Sequence, residues 1–383
     1  MNSLSSPNPP NPEVPVSRKP IVRGPASIVV LALALLAAAC SSSSTLGSPG
    51  STPDGSTPDG GGVVRLLTHD SFNVSDSVLD AFTAETGLTV EVLRQGDAVA
   101  MVNKAILTRE NPEGDVLFGV DNNTLTRALD EDLFAPHRAG GLDRVPDEFE
   151  LDPEGRVTPV DHGDVCLNYD VEHFAAAGLS PPASLADLTE PEYRDLLVVQ
   201  NPATSTPGLA FLLATVETFG DTDDGWLAYW SRLRDNGVLV TDGWEQAYVG
   251  AFSGGSGEGD RPIVVSYASS PPYEVANAET PPAEAPTAVV GSSCFRQIEF
   301  AGVLQNAPNP TGAAQLVDFL LSTTFQTDIA EQMYVYPVVE GIDLPASFTE
   351  YASVPSDSLS MPADVISANR ERWVQAWTTT VLR

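Results

Sequence analysis

The stretch VVRLLTHDSFNVSDSVLDAFTAETGLTVEVL, residues 63–93, decides the fold of this chain. It opens with a β-branched and leucine-rich run, Val63–Thr68, that predicts a buried strand. Residues 75–86 then carry apolar side chains at helical spacing, and Gly87 ends that helix. A second strand follows at residues 89–93. A strand, a helix and a strand in this order form the unit of a parallel sheet covered by helices.

The same alternation recurs along the rest of the chain. We predict further strands at residues 115–120, 157–160, 165–169, 196–200, 263–267 and 296–300. We predict helices at residues 98–108, 123–131, 209–219, 226–234, 244–252, 313–321, 325–332 and 362–380. The pattern therefore predicts an α/β protein. Because 383 residues exceed the usual size of one hydrophobic core, we expect two lobes around a cleft.

The amino-terminal segment indicates export and attachment to a membrane. Residues 1–39 hold a basic stretch and then an apolar run that ends in three alanines, which is typical of a lipoprotein signal peptide. Cys40 follows directly and is the predicted site of lipidation. Residues 40–62 are rich in Ser, Gly, Thr and Pro and predict a flexible tether. A short anchor helix is the alternative, although the apolar run is too short for a bilayer core of about 30 Å.

Charge and cysteine content narrow the possible partners. The chain has 52 acidic and 19 basic residues, a net charge of −33, which excludes nucleic acid as a partner. Lipidation of Cys40 leaves Cys166 and Cys294 as a pair in an oxidising compartment. A disulfide between them is the economical hypothesis, and two buried free thiols are the alternative.

The sequence lacks the common signatures of an enzyme. The four histidines, His69, His137, His162 and His173, have no metal-ligand spacing, and no serine lies in a G-x-S-x-G motif. The glycine-rich segment 254–259 has no Lys-Ser or Lys-Thr after it, so we interpret it as a surface turn and not as a phosphate loop. We expect no catalytic residue, no metal site and no cofactor.

Two kinds of residue at strand ends are candidates for a binding site. Trp244, Tyr267 and Tyr273 stand beside strand ends and helix starts, where ligands bind in α/β proteins, although each could instead be a core residue. Ser205 and Thr206 stand between a strand and an apolar helix. They predict either an anion site or an ordinary helix N-cap, and the sequence does not separate the two.

Taken together, these segments make the chain similar to the thiamine-binding proteins of ABC importers, which have the two-lobed type II periplasmic binding protein fold. The resemblance runs from about residue 63 to the carboxyl terminus. It rests on the ordered segments THDSF (68–72), GVDNN (119–123), PVDHG (159–163), NPATSTPG (201–208), GWEQAY (243–248), SYASSPPY (266–273) and YVYPV (334–338).

The resemblance implies that a ligand lies between the lobes and that aromatic rings hold it. It implies a ligand-binding set of Asp70, Ser71, Asp121, Asp164, Ser205, Thr206, Trp244, Tyr267, Tyr273 and Tyr334. The four aromatic side chains would stack on the ligand, the aspartates would lie at its polar edge, and Ser205 and Thr206 would meet a phosphate. The chain departs from enterobacterial relatives at His69 and Tyr334, where they have Tyr and Trp, and Asp164 and Cys166 replace uncharged aromatic positions.

The same resemblance implies the domain organisation and the partners. Residues 63–162 and 297–383 would form a discontinuous first lobe, residues 163–296 the second, and strands at 157–160 and 296–300 the crossovers. The expected protein is a monomeric receptor, anchored outside the cell membrane through Cys40, that delivers thiamine or a thiamine phosphate to an ABC permease. A receptor for ferric ion or another small cation, or a surface lipoprotein enzyme, is the alternative.

Overall fold

The structure of the protein, a computed structural model, describes residues 62–352, 355 and 357–383. The predicted signal peptide, the lipidation site Cys40 and all but the last residue of the predicted tether lie outside this range. Among the described residues, no helix combines the length and the apolar composition needed to cross a bilayer.

The described chain alternates strands and helices, which confirms the α/β class. The strands are β1 (Val63–Thr68), β2 (Thr89–Arg94), β3 (Val116–Asp121), β4 (Thr158–Asp170), β5 (Leu197–Gln200), β6 (Leu239–Thr241), β7 (Ile263–Tyr267), β8 (Thr287–Val303) and β9 (Tyr336–Pro337). The α-helices are α1 (Asp76–Thr86), α2 (Ala98–Leu107), α3 (Leu125–Asp130), α4 (Val171–Ala177), α5 (Thr206–Phe219), α6 (Ala228–Asp235), α7 (Ser270–Ala276), α8 (Pro310–Phe319), α9 (Thr323–Gln332), α10 (Ala346–Tyr351) and α11 (Ala363–Val381).

Shorter helical turns complete the chain. Four 3₁₀ turns span Leu142–Arg144, Asp147–Phe149, Ala186–Thr189 and Pro191–Tyr193, and two π-helical turns span Asp223–Leu227 and Gln246–Ala251. The second π-helical turn replaces most of the α-helix that the sequence predicts at residues 244–252. This turn carries part of the cavity wall.

One sheet of mixed direction runs through the molecule in the order β2-β1-β3-β8-β4-β7-β5-β6, with β9 paired to β4. Strands β1, β2 and β3 are parallel, as are β5, β6 and β7. The predicted strands at 157–160 and 165–169 are parts of the single long strand β4, and the strand at 296–300 is part of the long strand β8. These two antiparallel strands link the parallel halves of the sheet.

Each parallel half of the sheet has its own hydrophobic core, and we call these halves lobe 1 and lobe 2. The core of lobe 1 lies around β1, β3, α1, α2, α8 and α9. The core of lobe 2 lies around β5, β7, α5 and α6. Strands β4 and β8 contribute residues to both cores, so they are the crossovers between the lobes.

The carboxyl-terminal helix contributes to the core of lobe 2. The resemblance implies that residues 297–383 belong to lobe 1, whereas Ile366, Trp373 and Trp377 of α11 pack in the core of lobe 2. The ring of Trp377 meets the ring of Trp230 edge to face at 5.5 Å. An amphipathic stripe shows that a helix is buried on one side, but it does not show which core receives that side.

The predicted disulfide is present. Cys166 on β4 and Cys294 on β8 are bonded, with their Cα atoms 4.2 Å apart and a sequence separation of 128. Both residues are buried, so the bond joins the two crossover strands inside the protein.

Candidate functional site

A cavity of about 670 Å³ lies between the two lobes, at the carboxyl ends of parallel strands. Lobe 1 contributes residues after β1, the start of α2 and the end of α9. Lobe 2 contributes the start of α5, the segment after β6 and the junction of β7 with α7. In α/β proteins the strands end here and the helices begin with free backbone N–H groups, which makes this edge suited to polar ligands.

Glycine at position 208 allows one of these walls to form. A Cβ atom at Gly208 would lie 2.5 Å from the carbonyl oxygen of Gln200, the last residue of β5. The first turn of α5 therefore packs directly on the end of β5, and it brings Thr206 and Pro207 to the cavity.

Aromatic side chains form one wall of the cavity. The rings of Trp244 and Tyr248 stack with centroids 4.9 Å apart and an angle of 13° between their planes. The indole Nε1 of Trp244 donates to Ser266 Oγ at 2.9 Å, and the hydroxyl of Tyr248 donates to Glu274 Oε1 at 2.8 Å. Tyr248 is fully buried behind Trp244, so it fixes the plane of the indole that borders the cavity.

Tyr273 and Tyr334 close the rim of the cavity from opposite lobes. Their rings meet edge to face at 5.1 Å, and Asn277 of lobe 2 donates to the Tyr334 hydroxyl at 2.8 Å. Tyr334 has a φ of 55°, in the left-handed region that non-glycine residues seldom adopt. Its ring also stacks on Phe348, so tertiary contacts hold this backbone conformation in place.

Tyr267 stands at the end of β7, and its hydroxyl donates to Gln297 Oε1 at 3.2 Å. Burial raises the pKa of this phenol well above its usual value, and the nearby carboxyl of Glu299 raises the pKa further. The side chain therefore acts as a neutral ring with a hydrogen-bonding tip. The four aromatic residues that the family resemblance implies, Trp244, Tyr267, Tyr273 and Tyr334, thus all line one cavity.

Asp97 is a cavity residue that the sequence analysis did not identify. Its carboxylate accepts the backbone N–H of Ala98 at 2.7 Å, of Thr206 at 3.2 Å and of Trp244 at 2.9 Å. One side chain of lobe 1 therefore caps its own helix and also binds two segments of lobe 2. Its place before α2 predicts an N-cap, but the two contacts to lobe 2 depend on the tertiary structure. Burial raises the pKa of Asp97 despite these hydrogen bonds.

Glu299 is a second cavity residue that the sequence analysis did not identify. It lies on β8 and is only 5% exposed, yet it borders the cavity. His69 Nε2 lies 3.8 Å from Glu299 Oε1. Burial lowers the pKa of His69 to about 4, so the imidazole is neutral near pH 7 and does not neutralise the glutamate.

The structure brings seven of the ten expected site residues to the cavity and leaves three away from its surface. The seven are Asp70, Ser71, Thr206, Trp244, Tyr267, Tyr273 and Tyr334. Asp121 is instead buried and accepts hydrogen bonds from Thr124 and Asn123 in its own turn. Ser205 is buried at the N-cap position of α5. The side chains of Asp121 and Ser205 therefore face the protein interior in this structure.

Asp164 is the third residue that does not line the cavity. Its carboxylate is buried and accepts from Arg296 Nε on the neighbouring strand β8 at 2.8 Å. The resemblance implies a position for this group at the polar edge of a ligand, whereas in the structure its carboxylate pairs with Arg296. The reason is strand register, which faces Asp164 toward Arg296 and cannot be read from a single sequence.

Substitution of Asp164 distinguishes a structural role of this side chain from a role in ligand binding. We expect Asp164→Asn to lower the free energy of unfolding by about 1–3 kcal/mol, because Arg296 loses a charged hydrogen-bond partner. We expect ligand affinity to stay the same, because the side chain does not border the cavity. Urea unfolding and calorimetric titration of the same sample measure both. Weaker ligand binding at unchanged stability would show instead that Asp164 contacts the ligand.

The electrostatic character of the cavity favours a cation. Among the described residues that line it, Asp70, Asp97, Asp242, Glu245 and Glu299 carry carboxyl groups and none is Lys or Arg. Within the same described part of the chain, no group of three or more His, Cys, Asp or Glu side chains could hold a metal ion. Aromatic faces and carboxylates suit an organic cation with flat rings.

Two lobes joined by crossover strands, with a polar and aromatic cavity between them, define a solute-binding protein. The sequence profile described as "Bacterial extracellular solute-binding protein" matches residues 111–356, and the chain belongs to that family. This is a class of transport receptors located outside the cytoplasm and not a class of enzymes.

The chain is also similar to individual proteins of known name. The chain is 30% identical to the thiamine-binding periplasmic protein of Salmonella typhimurium over 326 residues, which cover 84% of this chain and 94% of the relative. A solved periplasmic thiamin binding protein superposes with a TM-score of 0.74 at 29% identity, covering 84% of this chain and 96% of that one. The chain is also 26% identical to iron uptake protein A1 of Synechocystis over 304 residues, 78% of this chain and 82% of the relative.

Proposed function

We propose that this protein is the thiamine receptor of an ABC importer. The observation that carries the proposal is the cavity between the lobes, where the indole of Trp244, backed by Tyr248, lies near carboxyl groups and the described lining includes no Lys or Arg. The similarity to thiamine-binding periplasmic proteins over most of the chain supports the same ligand.

The chemistry of thiamine fits the cavity at both of its rings. The thiazolium ring carries a permanent positive charge, and each well-placed aromatic face contributes about 0.5–2 kcal/mol to binding such a cation. The aminopyrimidine ring is flat, and its exocyclic amine can donate a hydrogen bond to a carboxylate. We assign the stacking to Trp244, Tyr267, Tyr273 and Tyr334, and the polar contacts to Asp70 and Ser71, which border the same cavity.

A phosphorylated ligand would meet fewer complementary groups. Thr206 at the start of α5 has a buried hydroxyl without a hydrogen-bond partner, and with the adjacent helix N-terminus it could contact a phosphate. Since no Lys or Arg lines the cavity within the described residues, two or more phosphate charges would remain without a cationic partner. We therefore expect thiamine to bind at least as tightly as thiamine diphosphate.

The position of the receptor in the cell is part of the same proposal. A lipid on Cys40 would hold the protein at the outer face of the membrane, and residues 41–62 would give it reach toward the permease. The receptor would act as a monomer, because each chain carries a complete cavity between its own two lobes.

Ferric ion is the second candidate, since an iron uptake protein is among the relatives. Iron receptors with tyrosine ligands need phenolate oxygens, whereas burial and neighbouring carboxyls hold the pKa of Tyr267 well above its usual value. The visible colour of a tyrosinate–iron complex distinguishes the two ligands. A coloured, iron-loaded protein that ignores thiamine would overturn the thiamine proposal.

Titration of thiamine into the mature domain and into variants of Trp244 tests the proposal. We expect Trp244→Ala to weaken thiamine binding by about 1–3 kcal/mol, and Trp244→Phe to recover part of the loss, because a phenyl ring still stacks. The buried tryptophan Trp226, which lies in the core of lobe 2, offers a matched control: Trp226→Phe should lower stability and leave thiamine affinity unchanged. Unchanged affinity in Trp244→Ala would remove the indole from the site.

A further inference from the structure

Three buried carboxyl groups lie on adjacent strands beneath the cavity, two of them on the crossover strands β4 and β8 and one on β3. Glu299 of β8 is in register with Asp121 of β3 on one side and with Asp161 of β4 on the other. Asp121, Asp161 and Glu299 are 0%, 1% and 5% exposed. Of the three, Glu299 is the one that borders the cavity.

Nothing positively charged contacts the pair formed by Glu299 and Asp161 in the described structure. From the loop after β1, His69 approaches Glu299 at 3.8 Å in its neutral form. From the N-cap of α2 and from β3 the facing groups are the carboxyls of Asp97 and Asp121, and from β7 the neutral phenol of Tyr267. Burial raises the pKa of the third carboxyl, Asp121, and the charge of Arg370 of α11 partly offsets this rise.

Two adjacent carboxylates cannot both be ionised without severe repulsion, so a proton must lie between them. Asp161 and Glu299 are directly opposite each other on β4 and β8 and both are buried, so a proton held between their carboxyls relieves this repulsion. Burial raises the pKa of Asp161 to about 7. Burial and the negative charges of Asp161 and Asp121 raise the pKa of Glu299 well above its usual value.

We propose that Glu299 is the group that recognises the positive charge of the ligand, and that binding of a cation in the cavity displaces the proton that Glu299 shares with Asp161. The inference rests on the proposed function, since it assumes a cationic ligand. No covalent bond changes: the carboxyl loses its proton to the solvent, and the resulting carboxylate is neutralised by the cation. The cavity therefore exchanges a proton for a cation.

This exchange determines the direction of the pH dependence. The empty site holds the proton at and below the pKa of the pair, and the cation must then displace it. Affinity therefore rises with pH and levels off once the empty site has lost its proton. Below that point the dissociation constant should change by up to about tenfold per pH unit, because about one proton leaves for each ligand bound.

Calorimetric titration with thiamine at pH 7, repeated in buffers with different heats of ionisation, counts the protons. We expect the observed enthalpy to vary with the buffer, with a slope that corresponds to release of between about half a proton and one proton per thiamine. Glu299→Gln should abolish this release and weaken binding about tenfold or more. Asp152→Asn, which neutralises a buried carboxyl paired with Arg156, serves as the matched control and should keep the release.

The possible results distinguish failure of the proton exchange from failure of the proposed function. Thiamine binding with the same enthalpy in every buffer would overturn the proton exchange and leave the thiamine receptor intact. Absence of any thiamine binding would overturn the proposed function and the exchange with it. The dependence of the binding enthalpy on the buffer is measured on the wild-type protein. The proton exchange can therefore be tested even when Glu299→Gln fails to fold.

Discussion

Replacement of both Cys166 and Cys294 by alanine is expected to lower the free energy of unfolding by about 2–5 kcal/mol. The bond spans 128 positions in the sequence, so in the unfolded chain it closes a long loop and removes much of the chain's freedom. Both residues are buried on the crossover strands, so the loss also reduces packing there. A cost of this size is a large fraction of the stability of most domains.

Equilibrium unfolding in urea measures this effect directly. The wild-type protein unfolded in the presence of a reductant provides the control, since it should approach the stability of the double variant. Thiamine affinity at low temperature should persist in the variant, because neither cysteine borders the cavity. A double variant as stable as the oxidised wild type would show that the bond is not a source of stability.

Truncation of Trp377 to alanine is expected to cost about 3–5 kcal/mol of stability. The side chain is 0% exposed and packs edge to face on Trp230, at the contact between α11 and the core of lobe 2. Deleting a buried indole removes its transfer free energy and leaves a cavity that the neighbouring rings cannot fill. The effect tests the assignment of α11 to lobe 2.

Thermal or urea unfolding of Trp377→Ala provides the measurement, and Val365→Ala on the same helix provides the control. Val365 is 38% exposed, so its truncation should change stability by no more than about 0.5 kcal/mol. Thiamine affinity should be the same in both variants, because α11 contributes nothing to the cavity lining among the described residues. A loss below about 1 kcal/mol for Trp377→Ala would contradict the packing of α11 in lobe 2.

The contacts around the cavity suggest how ligand capture is coupled to the arrangement of the lobes. Asp97 of lobe 1 binds backbone N–H groups of Thr206 and Trp244 in lobe 2, and Asn277 binds Tyr334 across the rim. These hydrogen bonds join the two lobes across the cavity. A ligand that touches both lobes adds to them, and its differential affinity for the closed arrangement then drives closure.

The sequence by itself determined the features that depend on local pattern and composition. The alternation of strands and helices predicted the α/β class, which the structure confirms. The count of cysteines led to the pairing of Cys166 with Cys294, which the structure also confirms. Aromatic residues at strand ends were good candidates for a site, because parallel strands place their carboxyl ends at one edge of the sheet.

Only the tertiary structure decided the features that depend on how distant segments meet. Strand register turned Asp164 toward Arg296 and placed Glu299 beside Asp161 at the cavity floor. The packing of α11 against lobe 2 and the contacts of Asp97 with a second lobe arise in the same way. The physical reason is that hydrophobic periodicity records which side of an element is buried, whereas its partner is chosen by contacts between residues far apart in the chain.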